Sequence, residues 1–186
     1  ALRDAGMEVL GIQEQPNISA VWTGNMHGVK VAMMQYTSTV SSSVRKTMTR
    51  QDAAWAIPQA ETDAISTDIQ NARQDGADLV IIYLNWGKAG DKNPDKKQTE
   101  LAGKIAEAGA DVIIGAGSRV VQKTEMLSTS DGREVLCVYS LGTLLSEIRT
   151  PATRLGSLLL QLTYERTEEG MRLQKAAGVP IYIWRY

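Results

Sequence analysis

Two similar stretches of sequence, DGADLVII and AGADVIIG, constrain the fold of this chain more than any other feature. Before each stretch, apolar residues recur at helical spacing. The two predicted helices end at the glycine of each stretch, Gly76 and Gly109. A continuous apolar run after a helix is typical of a strand buried on both faces. Because strand–helix–strand connections are right-handed and return to the same sheet, the sequence predicts two parallel, neighbouring strands.

Further elements are predicted on both sides of this unit. Alternating residues around TGNMHG predict a hairpin before it, and the turns SDG and TEEG predict two antiparallel hairpins after it. The segment from Ser38 to Pro58 is predicted to be a long loop with a short helix near DAAWA. Together these elements predict a mixed fold, α+β or α/β, with a β-sandwich flanked by helices. The predicted inward positions of the two helices are Ala64, Ile65, Ile69 and Ala72, and then Leu101, Ile105 and Ala106.

Composition removes several classes of function. The 186 residues suffice for one domain, predicted to span residues 1–186. A net charge of −1 argues against general binding of nucleic acid, and no apolar run is long enough to span a bilayer. The single cysteine, Cys137, is predicted to be a buried thiol, and the single histidine, His27, an exposed turn residue. Sites that need a disulfide or two imidazoles from this chain are therefore excluded.

The first residues, ALRDAGMEVLGI, predict the end of a helix that stops at Gly6 and is followed by a short strand. A domain seldom begins in the last turn of a helix. We therefore expect that a natural N-terminal portion precedes this sequence, which shows no export leader of its own.

The glycine-rich segment GAGSRV follows the second buried strand. A strand that leads into G-x-G occurs in dinucleotide-binding folds, where a third small residue, a helix and a later acidic residue complete the site. Here position 120 is a valine, the residues after it alternate, and Glu134 is predicted to open a strand instead of closing one. The residues therefore argue against a dinucleotide site. They leave open whether a phosphate, a metal ion or other backbone approaches this loop.

The order of the motifs NWG, QxxLA, EAGADVIIGAGSRVVQ and YSLGT resembles that of the bacterial capsule synthesis proteins, the poly-γ-glutamate (CapA-type) family. The resemblance covers nearly the whole chain, including MEVLGI, HGVKVAMMQYT and VPIYIW. It implies a calcineurin-like metallophosphatase fold, an extracellular or cell-surface location in a bacterium, and correspondence to the C-terminal portion of the family domain. It rests on Trp86, Gly87, Gln98, Leu101, Ala102, Gly109 to Gly115, Val120, Gln122, Glu125 and Tyr139 to Gly142.

The sequence departs from the family where the family holds metal ions. The family's His-Trp-Gly begins here with Asn85, its Gly-His-His-Pro-His loop reads GAGSR, and its Ser-Leu-Gly-Asn ends in Thr143. Metal ions need imidazole or carboxylate lone pairs, and Arg119 brings a permanent cation instead. We therefore expect no metal ligand, no cofactor and no catalytic residue in this loop. The candidate ligand-binding residues are Asn85, Trp86, Gly87, Gly115, Gly117, Ser118, Arg119 and Thr143.

The first hypothesis for function is a degenerate, non-catalytic member of the family with a pocket for an anionic fragment of a surface polymer. In this hypothesis Arg119, Ser118 and Asn85 bind the anion, because a guanidinium beside the amides of a glycine turn suits a carboxylate or phosphate. The alternative for Arg119 is a simple ion pair with a nearby acid such as Glu125.

Two other hypotheses stay open from the sequence. One is a metal-dependent, phosphoesterase-like hydrolase or transferase whose ligands come mainly from residues before this sequence, with Asn85, Asp91, Glu125 and Glu147 as the candidates within it. The other is a structural or assembly module that docks to the surface-polymer machinery. Its contacts would involve the tail IYIWRY, although such aromatic residues more often fill a core or a strand.

Overall fold

The computed structural model describes residues 2–13, 15–16, 21–53, 55–147, 150 and 152–184. Within them, the strands are β1 (Trp22–Met26), β2 (Val29–Thr37), β3 (Leu79–Asn85), β4 (Val112–Ala116), β5 (Thr124–Ser128), β6 (Glu134–Val138), β7 (Gly156–Thr167) and β8 (Gly170–Tyr182). The helices are α1 (Ser42–Thr47), α2 (Arg50–Ala53), α3 (Thr62–Gln74) and α4 (Lys96–Glu107). None of these helices is both long and apolar enough to cross a membrane.

The predicted parallel unit is confirmed. Strands β2, β3, β4 and β6 run parallel within a six-stranded sheet of order β1-β2-β3-β4-β6-β5. Helix α4 connects β3 to β4, and the two strands are neighbours with Asn85 opposite Ala116. The carboxyl ends of the parallel strands therefore meet at one edge of the sheet.

The sheet and two helices share one apolar core. Helix α3 buries Ile65 and Ile69, and helix α4 buries Ile105, because residues three and four apart lie on the same face of a helix. The prediction for Ala64 was wrong, since this residue lies on the exposed side of α3. Leu101 is half-buried and packs against the edge of the core. Cys137 is buried as predicted, and burial raises the pKa of its thiol to about 12.

Two aspartates of the repeated Gly-Ala-Asp motif tie neighbouring strands together. Asp78, just before β3, accepts a hydrogen bond of 2.7 Å from the amide of Lys30 in β2. Asp111, just before β4, accepts one of 2.6 Å from the amide of Val80 in β3. Arg73, in the last turn of α3, donates to the same Asp111 carboxylate at 2.6 Å. Each aspartate therefore fixes its own strand against the preceding one.

All three predicted hairpins form. His27 and Gly28 make the turn between β1 and β2, and His27 is exposed as predicted. The hairpin β5–β6 extends the parallel sheet, because β6 pairs with β4, so only one of the two later hairpins is left to form a second sheet. Strands β7 and β8 form that second sheet by themselves.

The β7–β8 hairpin is attached near both of its ends. Near the start of β7, the amide of Leu158 donates to the carbonyl of Leu141 at 2.8 Å. Near the turn, Arg166 donates to both carboxylate oxygens of Asp78, at 2.9 and 2.8 Å. Asp78 therefore holds both a strand of the main sheet and this hairpin.

Three local predictions differ from the structure. A 3-10 turn ends at Gly6 as expected, but residues 7–10 form no strand because they pair with no described strand. The short helix predicted near DAAWA forms as α2, and the segment between Ser38 and Pro58 contains a second helix, α1, that was not predicted. Tyr182 and Trp184 of the tail are 58% and 73% exposed, so neither fills a core. The last two residues of IYIWRY lie outside the described residues.

The substitution Asp78→Asn tests the link between the sheet and the hairpin. Hydrogen bonds from Arg166 and then from the Lys30 amide lower the pKa of Asp78 from 3.8 to about 2. The stabilisation is therefore present above pH 3.8 and lost as the pH falls towards 2. We expect the variant to have a lower Tm than the wild type at about pH 7, with a difference that shrinks between about pH 4 and 2.

Thermal unfolding followed by circular dichroism across this pH range measures the effect. Asp75→Asn is the matched control, because the Asp75 carboxylate lies in the same loop and makes no hydrogen bond with the described residues. A difference between Asp78→Asn and the wild type that stays constant with pH would contradict this account.

Candidate functional site

The residues of the predicted site gather at the carboxyl edge of the parallel strands. The segment 85–87 follows β3 and the segment 115–119 ends β4, and the amide of Trp86 donates to the carbonyl of Ala116 at 2.9 Å. The segment 140–143 follows β6, and the amide of Leu141 donates to the carbonyl of Gly115 at 3.3 Å. Ligand sites of open α/β sheets lie at this edge, so the place agrees with a binding function.

Trp86 and Gly115 are buried below the glycine turn and are not available to contact a ligand. The Trp86 ring stacks on Tyr139 with ring centroids 5.6 Å apart, and its Nε1 donates to the Tyr139 carbonyl at 2.9 Å. A Cβ atom added at Gly115 would overlap that same carbonyl oxygen. Trp86 is only 2% exposed, which leaves no side-chain surface for a ligand. Gly115 therefore allows the two strand ends to approach each other.

Gly117 and Asn85 face each other at the surface of this edge. Gly117 has a φ of 111°, and a Cβ atom added there would overlap the Trp86 carbonyl oxygen and lie 2.9 Å from Oδ1 of Asn85. The other end of the amide is fixed, because Nδ2 of Asn85 donates to the Thr37 hydroxyl at 2.9 Å. The hydrogen bond to Thr37 thus orients Oδ1 of Asn85 towards the glycine turn.

Ser118 shapes the turn instead of presenting a hydroxyl. It is fully buried, and its hydroxyl donates to the carbonyl of Val120 at 2.7 Å. Its own carbonyl accepts the amide of Gly90 at 2.7 Å, which ties the loop after β3 to this turn. No helix follows the glycine segment, because the chain bends and then enters β5, which agrees with the argument against a dinucleotide site.

A second network holds the loop after β3. Gly87 is left-handed with a φ of 72°, and a Cβ atom added there would lie 2.8 Å from the Gln98 side chain. Gln98 forms a capping box with Asp95 at the start of α4 and also donates to the Gln122 side chain at 3.2 Å. Gln122 in turn donates to the carbonyl of Asp91 at 3.0 Å. Gly87 therefore allows the chain to pass close to a buried amide pair.

Arg119 is an exposed cation of this edge. Its φ of 62° is left-handed, an uncommon conformation for a residue with a side chain. It makes no ion pair or side-chain hydrogen bond with the residues that the structure describes. The alternative of an ion pair with Glu125 was wrong, because Glu125 contacts Lys123 at 2.7 Å and accepts the Tyr139 hydroxyl at 2.8 Å. The Lys123 hydrogen bond lowers the pKa of Glu125, which keeps this carboxylate charged and occupied.

Thr143 lies half-buried after Gly142, which is left-handed with a φ of 80°. Gly142 pairs with Ser157 at the start of β7 through an isolated antiparallel bridge. A Cβ atom added at Gly142 would lie 2.7 Å from the carbonyl oxygen of Gly156. The loop after β6 therefore packs directly against the second sheet.

The side chains at this edge do not fit a pair of metal ions. The described residues contain no group of three or more His, Cys, Asp or Glu side chains that could hold one ion. Asn85 offers one neutral oxygen, which is a weak ligand more suited to calcium or magnesium than to a dinuclear centre. Of the other candidates, Asp91 and Glu147 are exposed and Glu125 is paired with Lys123.

A second arginine reaches this edge, and sequence reasoning missed it. Arg154 lies in a short 3-10 turn, Ala152–Arg154, just before β7. Its Nη2 atom lies 3.6 Å from the position of a Cβ atom added at Gly90, the residue whose amide donates to Ser118. No periodicity or motif around TPATRLG indicated that the chain would return to this edge.

A family model described as bacterial capsule synthesis protein PGA_cap matches residues 1–147. The chain therefore belongs to the bacterial capsule synthesis protein family, as its motifs predicted. The capsule biosynthesis protein CapA of Bacillus anthracis is 26% identical over 143 residues, which are 76% of this chain and 33% of that protein. The PGA biosynthesis protein CapA of Bacillus subtilis (strain 168) is 30% identical over 94 residues, covering 50% of this chain and 23% of that protein.

This chain thus matches a third or less of the length of these relatives. Two solved structures are also similar to it. A hypothetical protein from Thermus thermophilus has a TM-score of 0.48 at 13% identity, covering 87% of this chain and 61% of that one. The calcineurin-like phosphoesterase YfkN from Bacillus subtilis has a TM-score of 0.48 at 14% identity, covering 86% of this chain and 46% of that one.

The substitution Gly115→Ala tests the close approach of the two strand ends. An added methyl group would overlap backbone at Tyr139 and the indole nitrogen of Trp86, neither of which can move alone. We expect a loss of about 3 kcal/mol in the free energy of unfolding, measured by urea denaturation. Gly103→Ala in α4 is the control, because nothing lies within 4 Å of the added atom. It should stabilise the protein by about 0.5–1 kcal/mol.

The substitution Arg119→Gly tests whether the left-handed conformation is a cost to the fold. Glycine adopts this conformation without steric penalty, so we expect the free energy of unfolding to rise or to stay constant, by up to about 1 kcal/mol. His27→Gly is the matched control, since His27 also has a positive φ, of 52°, in a turn outside this edge. A clear loss of stability for Arg119→Gly alone would show that the arginine supports the fold.

Proposed function

We propose that this chain is a non-catalytic member of its family whose carboxyl strand edge binds an anionic fragment of a capsule or surface polymer. The observation that carries the proposal is the Arg119 guanidinium, which is exposed at this edge without an ion-pair partner among the described residues. The family description and the names of both CapA relatives support the polymer as ligand. For the same reason we propose a location at the cell surface.

The conformation of Arg119 supports a role in binding. A left-handed residue with a side chain costs about 1–3 kcal/mol, and such strain is concentrated at functional sites. Within the described residues the arginine makes no ion pair or side-chain hydrogen bond that would offset this cost. A planar guanidinium can form two parallel hydrogen bonds with a carboxylate, which makes an anionic ligand the partner that fits best.

The residues around Arg119 suit a carboxylate ligand better than a metal-bound phosphate. The turn carries no acidic side chain, so a bound anion meets no repelling charge from residues 115–119. Oδ1 of Asn85 faces the turn at Gly117 and can accept a hydrogen bond from a neutral donor of the ligand, such as an amide N–H. A polymer of amide-linked acidic units, such as poly-γ-glutamate, offers both groups.

The substitution Arg119→Asn tests the proposal. Asparagine tolerates a left-handed backbone but removes the charge, so the turn is expected to keep its shape. We expect the affinity for γ-linked pentaglutamate, measured by calorimetry at low ionic strength, to fall about tenfold. Arg119→Lys keeps the charge and should retain part of the affinity. Arg172→Asn, at an exposed arginine of β8 outside this edge, is the control and should bind like the wild type.

Equal affinity of wild type and Arg119→Asn would refute the proposed site. The non-catalytic part has its own test, in which metal content and phosphodiesterase activity are measured on the intact protein. Bound metal in stoichiometric amount together with turnover would refute it and would favour the metal-dependent hydrolase. In that case Asn85→Ala should abolish the activity if Asn85 is a ligand.

A further inference from the structure

We infer that Arg154 and Ser157 form a second anion subsite beside the Arg119 turn, so that the edge takes a ligand with at least two carboxylates. This inference rests on the proposed function and adds to it the class of ligand. Both residues lie beyond residues 1–147, the part that the family model matches. Arg154 lies in the turn before β7 and Ser157 at the start of β7, a part of the chain that the sequence motifs did not connect with the site.

Arg154 lies beside Gly90, a residue whose backbone is hydrogen-bonded to the Arg119 turn. Its Nη2 atom lies beside Gly90, at 3.6 Å from the position of an added Cβ atom. The Gly90 amide donates to the carbonyl of Ser118, the residue directly before Arg119. The two guanidinium groups therefore belong to neighbouring backbone segments of the same edge, with Nη2 of Arg154 at van der Waals distance from the Cβ position of Gly90.

Two buried polar atoms without partners support a ligand contact at this place. Nε of Arg154 and the hydroxyl oxygen of Ser157 are both buried and have no hydrogen-bond partner in the described structure. Ser157 is 5% exposed, so its hydroxyl is shielded from bulk solvent. A buried polar atom without a hydrogen bond is costly, and native proteins leave few of them. A carboxylate would accept a hydrogen bond from each group.

The packing of Ser157 places it against another candidate of the site. Ser157 forms the bridge with Gly142, and its Cα lies 3.1 Å from the position of a Cβ atom added there. The next residue after Gly142 is Thr143, one of the candidate ligand-binding residues. The start of β7 therefore forms part of the wall of this edge, next to the loop after β6.

Two cations at one edge predict a preference for ligands with several carboxylates. Arg119 is exposed and Arg154 is half-buried, and neither makes an ion pair with the described residues. One carboxylate at each guanidinium would satisfy both charges, whereas a ligand with one carboxylate would leave the second cation unpaired. A linear polyanion with regularly spaced carboxylates meets this requirement.

Four proteins test the inference with γ-linked pentaglutamate as the probe: wild type, Arg119→Asn, Arg154→Gln and the double variant. We expect each single substitution to weaken binding about tenfold and the double substitution to weaken it by about the product of the two. Arg172→Gln is the control for the loss of one positive charge. Thermal unfolding of each variant without the probe verifies that it is folded.

The outcomes separate the two proposals. No effect of Arg119→Asn refutes the proposed function itself. A tenfold loss for Arg119→Asn with no more effect of Arg154→Gln than of Arg172→Gln refutes the second subsite alone.

Ser157→Ala gives a second readout that does not depend on charge. Because the hydroxyl has no partner among the described residues, its removal should leave the Tm of the free protein unchanged or raise it. The stabilisation of the protein by pentaglutamate should nevertheless decrease. A lower Tm of the free variant with unchanged binding would show that the hydroxyl serves the fold, which would overturn its place in the subsite.

Discussion

The fold depends on one repeated interaction. An amide near the start of a parallel strand donates a hydrogen bond to the aspartate that precedes the next parallel strand. Asp78 and Asp111 occupy the same position in two copies of one short motif, and each accepts an amide of the preceding parallel strand. Parallel pairing has no tight turn to set its register, so a side chain that fixes one pair of residues at the start fixes every later pair. The opposite edge, where Asn85 meets Ala116, inherits its alignment from these contacts.

Because the strands are aligned, their carboxyl ends form one edge. This edge has a buried layer and a surface layer. Its lower layer is closed, because Gly115 allows Trp86 and the Tyr139 carbonyl to meet without an intervening side chain. Its upper layer is basic, with Arg119 in a left-handed conformation and Arg154 in the 3-10 turn that precedes β7. The resemblance to the family implies histidines in this loop, where the present sequence reads GAGSR and so has a guanidinium in place of imidazole lone pairs. Such an exchange favours anions over cations, which is the basis of the proposed binding site.

The sequence predicted the parallel unit, the hairpins and the place of the candidate site because each depends on local patterns. Glycine stops and apolar runs marked α3, β3, α4 and β4, and the family motifs marked the segments 85–87 and 115–119. The sequence could not predict that β6 joins β4, since strand pairing at long range depends on the whole sheet. It also could not show that Ser118 is buried or that Arg154 reaches Gly90. Burial and approach between distant segments leave no periodic signal in either segment.

The side-chain amide of Gln98 links three segments of this edge. One side chain closes the first turn of α4 and also holds Gln122, which in turn holds the backbone at Asp91. The helix, the loop in front of it and the segment that leads into β5 are thus clamped at a single point. Any rearrangement of the arginine turn on contact with a polymer would have to carry that helix along or break the clamp. The anchorage of α4 therefore limits how far this edge could adjust to the polymer that we propose as its ligand.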